Sequence, residues 1–148
     1  PMFEINLYTM GFTKKSAEVF FGKIQDVGVQ RVIDIRLNNT RQLAGFTKKN
    51  DLLYFLKTIC GCDYRHEPLL APSRQIFDDY KKKGLGWSEY QKQFNALLRE
   101  RRAHELVSPS ELNMACLLCC EVTAENCHRR LVAEYFRDHF TGLEITHL

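Results

Sequence analysis

The feature that most constrains the fold is a continuous apolar run at residues 113–120 (NMACLLCC). A strand with one face in water alternates apolar and polar residues, so an unbroken run predicts a strand buried on both faces. Such a strand occupies the centre of a sheet that is covered by helices on both sides, which is the arrangement of parallel α/β proteins. The run therefore indicates the fold class before any other motif is considered.

Other strand and helix patterns alternate along the rest of the chain. Further strands are predicted at 3–8, 29–35, 62–66 and 143–146, and amphipathic helices at 13–28, 47–60, 73–83, 88–104 and 131–140. This order predicts a Rossmann-like α/β fold with a mostly parallel central sheet and helices on both faces. Residues 73–104 are longer than a crossover requires, so we expect a helical insert that forms a lid or a partner surface. Ser88 and Gln91 predict a capping box at the start of its second helix.

Length and composition indicate one domain spanning residues 1–148. A hydrophobic content of 45% and a charged content of 26% are those of an ordinary globular protein and argue against disorder or a coiled coil. No apolar run reaches the roughly 18 residues of a membrane span, and the first residues lack the pattern of a signal peptide. We therefore expect a cytoplasmic protein without membrane contact, whose six cysteines are reduced thiols.

Reactive residue types follow the predicted strands at the edge where an open parallel sheet binds its ligands. They are Thr9 and Gly11 after the first strand, Asp34, Arg36 and Arg41 after the second, His66 after the third, and Cys119, Glu121, Cys127, His128 and Arg129 after the fourth. A scrambled sequence would rarely gather these types at one edge. The pattern therefore predicts a functional site there.

The segment CCEVTAENCHRR carries the most specific chemistry in the chain. Cys127 is predicted at the start of a helix, where free N–H groups, the helix dipole and Arg129 stabilise a nucleophilic thiolate. His128 is an acid/base candidate, and Glu121 is a candidate base, nucleophile or partner of Arg129. Packing of Cys127 as a small apolar residue, with Glu121 paired to an arginine, is an equally open interpretation.

Asp34 and Arg36 are predicted on one face at the end of the second strand. An arginine in a cleft recognises phosphate or carboxylate groups, whereas an ion pair between the two residues would hold the loop. His66 is either an acid/base group or a hydrogen-bonded surface histidine. The sequence does not decide between the two roles of Arg36 or between the two roles of His66.

Metal and cofactor patterns are weak. Cys116 and Cys119 form a C-x-x-C pair, but residues three apart on a strand face opposite sides and cannot hold one metal. The chain has neither a P-loop nor a G-x-G-x-x-G pattern, which argues against common ATP and NAD sites. We therefore expect no metal and no cofactor.

Three segments resemble a known family. VIDIR at 32–36, TMGFTKKS at 9–16 and the arrangement Cys119-x-Glu121…Cys127-His128-Arg129 are similar to the family named domain of unknown function 488. The resemblance covers nearly the whole chain and implies a compact α/β fold. It also implies a site built on Cys119, Glu121, Cys127, His128, Arg129, Asp34 and Arg36, but it supplies no reaction. Residues 37–46 replace the serine and proline usual in the family, which indicates a distinct subgroup.

The favoured functional hypothesis is an enzyme that binds a small anionic or nucleotide-like substrate. Arg36 and Arg129 would hold the anion, Cys127 or Glu121 would attack, and a histidine, His66 or His128, would move protons.

Two alternatives belong to other classes. Residues 74–102 carry eight basic and four acidic residues, so this segment would suit a nucleic-acid-binding module. The second alternative is a partner-binding protein in which Asp34, Arg36, Glu121 and Arg129 form a structural charge network. The oligomeric state is left open.

Overall fold

The computed structural model describes residues 4–38, 45–121 and 124–148, and the five strands described there form one parallel sheet. The strands are β1 (Ile5–Gly11), β2 (Arg31–Asp34), β3 (Asp63–His66), β4 (Ala115–Cys119) and β5 (Leu143–His147). Their order across the sheet is β3-β2-β4-β1-β5. The predicted parallel α/β class is confirmed.

Six α-helices connect and cover the strands described. They are α1 (Ala17–Val27), α2 (Lys49–Phe55), α3 (Arg74–Lys82), α4 (Trp87–Glu100), α5 (Pro109–Leu112) and α6 (His128–His139). A π-helical turn at Leu56–Cys60 continues α2. Apolar residues of α1 and α2 pack in one core, and those of α4 and α6 pack in a second core on the other face of the sheet. The prediction of helices on both faces is therefore confirmed.

β4 lies at the centre of the sheet, between β1 and β2. All five of its residues are buried, as the apolar run predicts. Leu117 and Cys119 belong to the core under α4 and α6, whereas Cys116 and Leu118 belong to the core under α1 and α2. Cys116 and Cys119 therefore lie on opposite faces, as strand periodicity predicts.

The predicted helical insert consists of α3 and α4, and the two helices differ. α4 buries Tyr90, Phe94 and Leu98 in the main core, so it is a structural layer and not a lid. α3 buries no residue and rests on α4, partly through ring contacts of Tyr80. The prediction of a capping box at Ser88 is wrong, because α4 begins after Gly86 and Ser88 lies within its first turn.

Gly11, the last residue of β1, allows two chain segments to approach closely. A β-carbon at this position would lie 1.5 Å from the carbonyl oxygen of Glu121 and 2.6 Å from Nη1 of Arg129. Just beyond β1, the N–H groups of Phe12 and Thr13 donate to the carbonyl oxygens of Cys119 and Cys120. Any side chain at Gly11 would therefore displace the segment that follows β4.

We expect Gly11→Ala to lower the free energy of unfolding by about 3 kcal/mol, because the added methyl group overlaps main-chain atoms that cannot move independently. Chemical denaturation with urea measures this loss. Gly22→Ala is the matched control, since no atom lies within 4 Å of its added β-carbon and α1 should gain about 0.5–1 kcal/mol. A loss below about 1 kcal/mol for Gly11→Ala would contradict the close approach.

Candidate active site

Two cysteine sulfurs meet at the carboxyl edge of the sheet. Cys119 ends β4, and Cys127 is the N-cap residue of α6. Their Sγ atoms lie 2.7 Å apart, both residues are buried, and both thiols are free. The structure therefore brings together two of the cysteines that the sequence motif singles out.

Arg129 fixes this sulfur pair from the first turn of α6. Its side chain is 1% exposed. Nη1 lies 3.3 Å from Sγ of Cys119, 4.0 Å from Sγ of Cys127 and 2.6 Å from the carbonyl oxygen of Glu121. Nε donates to the hydroxyl of Thr9 at 3.2 Å. A buried guanidinium is stabilised by a negative partner, and a thiolate at the nearer sulfur supplies one.

The surroundings of the two sulfurs favour one shared negative charge. Burial raises the pKa of Cys119, but the hydrogen bond from Cys127 and the electrostatic effects of His128 and Arg129 outweigh it and lower the pKa to about 6. The hydrogen bond with Cys119 and burial both raise the pKa of Cys127. The two thiols therefore titrate as a coupled pair, and the nearby cation and the contact between the sulfurs favour loss of its first proton.

The two sulfurs, both of which the sequence analysis names as candidates, differ in their contacts. The position of Cys127 at a helix start is as predicted, and its Sγ accepts from the N–H of Arg129 at 3.5 Å. The guanidinium nevertheless lies closer to Cys119, and this contact requires the β4 end and α6 to meet in space. Each sulfur therefore has its own donor, the guanidinium beside Cys119 and the helix N–H beside Cys127, and either sulfur can donate to the other.

A second buried arginine, Arg36, lies at the end of β2. Its Nε and Nη2 donate to the two carboxylate oxygens of Asp34 at 2.8 and 2.7 Å, and Nη2 also donates to the carbonyl oxygen of Thr47. The hydroxyl of Tyr64 donates to Asp34, and Nε2 of His66 donates to the carbonyl oxygen of Arg36. Asp34 and His66 thus hold Arg36 in place. Nη1 of Arg36 is buried and has no hydrogen-bond partner within the described part of the chain.

A cavity of about 220 Å³ adjoins Arg36. One wall comes from α3, and the opposite wall comes from the ends of β2 and β4 and from the start of α6. Nε2 of His128 donates to the carbonyl oxygen of Ile35 at 2.8 Å, which fixes its ring at this wall. The polar lining consists of Arg36, Asn38, Arg74, Cys120 and His128.

Glu121 contributes two different groups to the site. Its main-chain carbonyl oxygen accepts from Arg129, whereas its carboxylate pairs with Nζ of Lys81 at 2.9 Å. Burial lowers the pKa of Lys81, but the hydrogen bond and charge of Glu121 outweigh it and raise the pKa. The carboxylate therefore turns outward to α3, and Glu121 holds Arg129 through its main-chain oxygen instead.

Thr9 and Gly11 lie at the edge as predicted, and two further residues join them that the sequence analysis misses. The hydroxyl of Thr9 is hydrogen-bonded to Nδ1 of His147, and Nζ of Lys15 donates to the carbonyl oxygen of Gly11 at 2.6 Å. Burial and the charge of Arg129 lower the pKa of His147. Applying the same edge rule to β5 would have identified His147. Predicted site residue Arg41 lies outside the described residues.

The basic segment 74–102 uses several of its charges internally. Lys82 and Lys83 each pair with the acidic residue four positions earlier, and Arg101 donates to the carbonyl oxygens of Leu69 and Ala71. Binding of nucleic acid by this segment stays a prediction.

Across the described residues, no helix has the length and apolarity needed to cross a membrane, and no group of three or more potential metal ligands is found.

The Cys119 thiolate should make stability depend on pH. Its pKa is about 6 in the folded protein, below the roughly 8.5 of a free thiol. The unfolded state therefore binds more protons between these values, and the free energy of unfolding should rise with pH across that window and fall as the pH drops through the folded pKa. Denaturation from pH 5 to 9 measures this slope.

Cys119→Ser should reduce the slope, whereas Cys116→Ser on the other face of β4 should retain it. Thiolate absorbance near 240 nm tests the same point in the parent protein, and a first transition at or above pH 8.5 would refute the assignment.

The chain matches a known protein family. Searches of curated proteins and of solved structures find no relative. Residues 16–136 match the family described as "Domain of unknown function DUF488". This range includes Arg36, the sulfur pair and Arg129, whereas Thr9, Gly11 and His147 lie outside it. Since the match spans well over half of the 148 residues, the chain belongs to the DUF488 family, as the C-x-E…C-H-R motif indicates.

Proposed function

We propose that the protein is a small enzyme that binds a compact anionic substrate in the cavity beside Arg36 and acts on it with the Cys119–Cys127 thiolate. The observation that carries the proposal is Nη1 of Arg36, which is buried and unpartnered among the described residues. A buried donor without a partner costs about 1–3 kcal/mol, and an anion that accepts from it removes that cost. Arg36 lines the cavity, so a ligand there is within its reach.

Arg74 supplies a second guanidinium to the same cavity. It is the first residue of α3, its side chain is exposed, and it forms no ion pair with any described residue. Asp34 already balances the charge of Arg36, so the uncompensated charge at this cavity comes from Arg74. Guanidinium groups favour phosphate and carboxylate oxygens, which makes these the preferred substrate groups.

The cavity volume limits the size of the substrate. Its 220 Å³ falls below the roughly 300–1,000 Å³ of sites that enclose a drug-sized molecule. We therefore favour a phosphate or carboxylate on a small carbon skeleton over an entire nucleotide. This is narrower than the class that the sequence alone suggests.

The two sulfurs do not line this cavity, but the residues that directly follow them in the sequence, Cys120 and His128, do. A substrate would therefore have to extend from the cavity past these residues to reach the sulfurs. A thiolate is a strong nucleophile, and Arg129 keeps it ionised in a buried setting. With its Nε2 hydrogen bonded to a main-chain oxygen, His128 has Nδ1 left for proton exchange with a bound substrate.

Access would come from movement of α3. This helix buries no residue, and its Lys81–Glu121 ion pair is about 40% exposed on both sides. Exposed ion pairs of this kind contribute about 0–1 kcal/mol. In this proposal Glu121 therefore holds α3 in place at the cavity and does not attack the substrate.

Isothermal titration with phosphate, sulfate and acetate tests the anion site. The parent protein should bind at least one of them, and added sodium chloride should weaken the binding. Arg74→Ala should raise the Kd about tenfold, because losing a charge-assisted contact corresponds to about 1.5 kcal/mol. Arg137→Ala is the matched control, since this exposed arginine at the end of α6 changes the net charge equally and lies away from the cavity.

Equal weakening by Arg74→Ala and Arg137→Ala, or no binding by the parent, would refute the anion site. A panel of small phosphorylated and carboxylated electrophiles then tests catalysis. Cys119→Ser should abolish turnover, and Cys116→Ser should retain it. Unchanged turnover by Cys119→Ser would refute the role of the thiolate.

A further inference from the structure

We infer that Cys119 and Cys127 also form a redox-active site, which a small hydroperoxide oxidises to an intramolecular disulfide. This activity requires no anion in the cavity, so it goes beyond the proposed function. The two sulfurs lie 2.7 Å apart, and a disulfide bond is about 2.05 Å long. Bond formation therefore needs a sulfur displacement of less than about 1 Å.

The positions of the other four cysteines favour a disulfide between Cys119 and Cys127 over any other pairing. Cys116 is on the opposite face of β4, and Cys60 and Cys62 belong to the core under α1 and α2. Cys120 is adjacent to Cys119 but lines the cavity. Among the described residues, the contact of Cys119 with Cys127 is the only one between two sulfurs. An oxidised Cys119 would therefore meet the Cys127 thiol first.

The oxidation proceeds in two balanced steps. The Cys119 thiolate attacks the distal oxygen of the hydroperoxide, an S–O bond forms, and the O–O bond breaks. The alkoxide leaves as an alcohol after taking a proton from solvent, and Cys119 becomes a sulfenic acid. The Cys127 sulfur then attacks that of Cys119, the S–S bond forms, and the S–O bond breaks. Hydroxide leaves with the Cys127 proton as water, and two electrons have passed from the sulfurs to the peroxide.

Burial of the sulfurs selects the class of oxidant. Cys119 is 0% and Cys127 is 2% exposed, so a protein disulfide cannot reach either sulfur for exchange. Hydrogen peroxide has only two heavy atoms and is little larger than water, so it is the oxidant of this class that burial hinders least. The Cys127 thiol in contact would also capture the sulfenic acid before a second peroxide oxidises it further.

Arg129 makes the disulfide readily reducible. In the reduced protein its Nη1 contacts the Cys119 thiolate. Oxidation removes that negative charge from beside the buried guanidinium, which disfavours the disulfide. A dithiol stabilised by a thiolate contact gives a more oxidising disulfide. The disulfide should therefore be readily reduced by any reductant that is small enough to reach the buried sulfurs.

Hydrogen peroxide, added in slight excess to the reduced full chain, tests the inference. Free thiols are then blocked with iodoacetamide under unfolding conditions, and the protein is cut after glutamate. This separates Cys119 in peptide 112–121 from Cys127 in peptide 126–134. Mass spectrometry should find the two peptides joined through Cys119 and Cys127, at a rate at least about tenfold above the loss of the Cys60 thiol.

Cys116→Ser is the matched control and should form the same bond at the parent rate, whereas Cys119→Ser and Cys127→Ser should not form it. The inference would be overturned if iodoacetamide still labels both Cys119 and Cys127 after Cys60 has been oxidised. A disulfide that involves Cys120, or one that links two chains, would overturn it as well. Because the parent protein alone gives this result, a variant that fails to fold does not obscure it. The peroxide experiment contains no anion ligand, so a negative result does not bear on the proposed anion site. A negative anion titration likewise does not bear on disulfide formation.

Discussion

The carboxyl edge of the sheet depends on the burial of the Arg129 guanidinium. This one side chain reaches the hydroxyl of Thr9 on β1, the sulfur of Cys119 on β4 and the main-chain oxygen of Glu121 beyond β4. These contacts join two chain segments, β1 and the end of β4 with the residues after it, so the cation helps to determine how closely the two segments approach. Gly11 is part of the same constraint, because a side chain there would occupy the space of Nη1. A buried cation in this position also requires a negative partner, and the sulfur pair provides one.

The two buried arginines of the site are neutralised by different chemistry. Arg36 pairs with the carboxylate of Asp34, whose hydrogen bonds from Tyr64 and Arg36 satisfy both oxygens. Arg129 is next to a thiol that must lose its proton to act as a counterion. The first pair is a permanent structural element, whereas the second depends on pH and on the oxidation state of sulfur. The reactive part of the site is therefore the less securely neutralised part.

Local sequence patterns predict most of the fold and only part of the site. The apolar run identifies β4 because burial on both faces leaves no polar positions, and periodicity identifies α6 and the carboxyl edge. The helix start points to Cys127 as the reactive sulfur, whereas the approach of the Arg129 guanidinium to Cys119 depends on two elements that meet in space. The orientation of the Glu121 carboxylate depends on where α3 lies, which no neighbouring residue specifies. α4 is mistaken for part of a lid because its buried face resembles that of any amphipathic helix.

α3 has a further consequence for how the protein can diversify. The helix contributes two cavity residues, Arg74 and Phe77, yet none of its residues is fully buried, and only Ile76 and Tyr80 pack against the edge of a hydrophobic core. Substitutions on its surface should change folding free energy little, since large losses arise mainly from buried positions. The wall that meets the ligand can therefore accumulate changes while the sulfur pair, Arg36 and the sheet stay the same. Selectivity and catalytic chemistry are in this way encoded in separate parts of the chain.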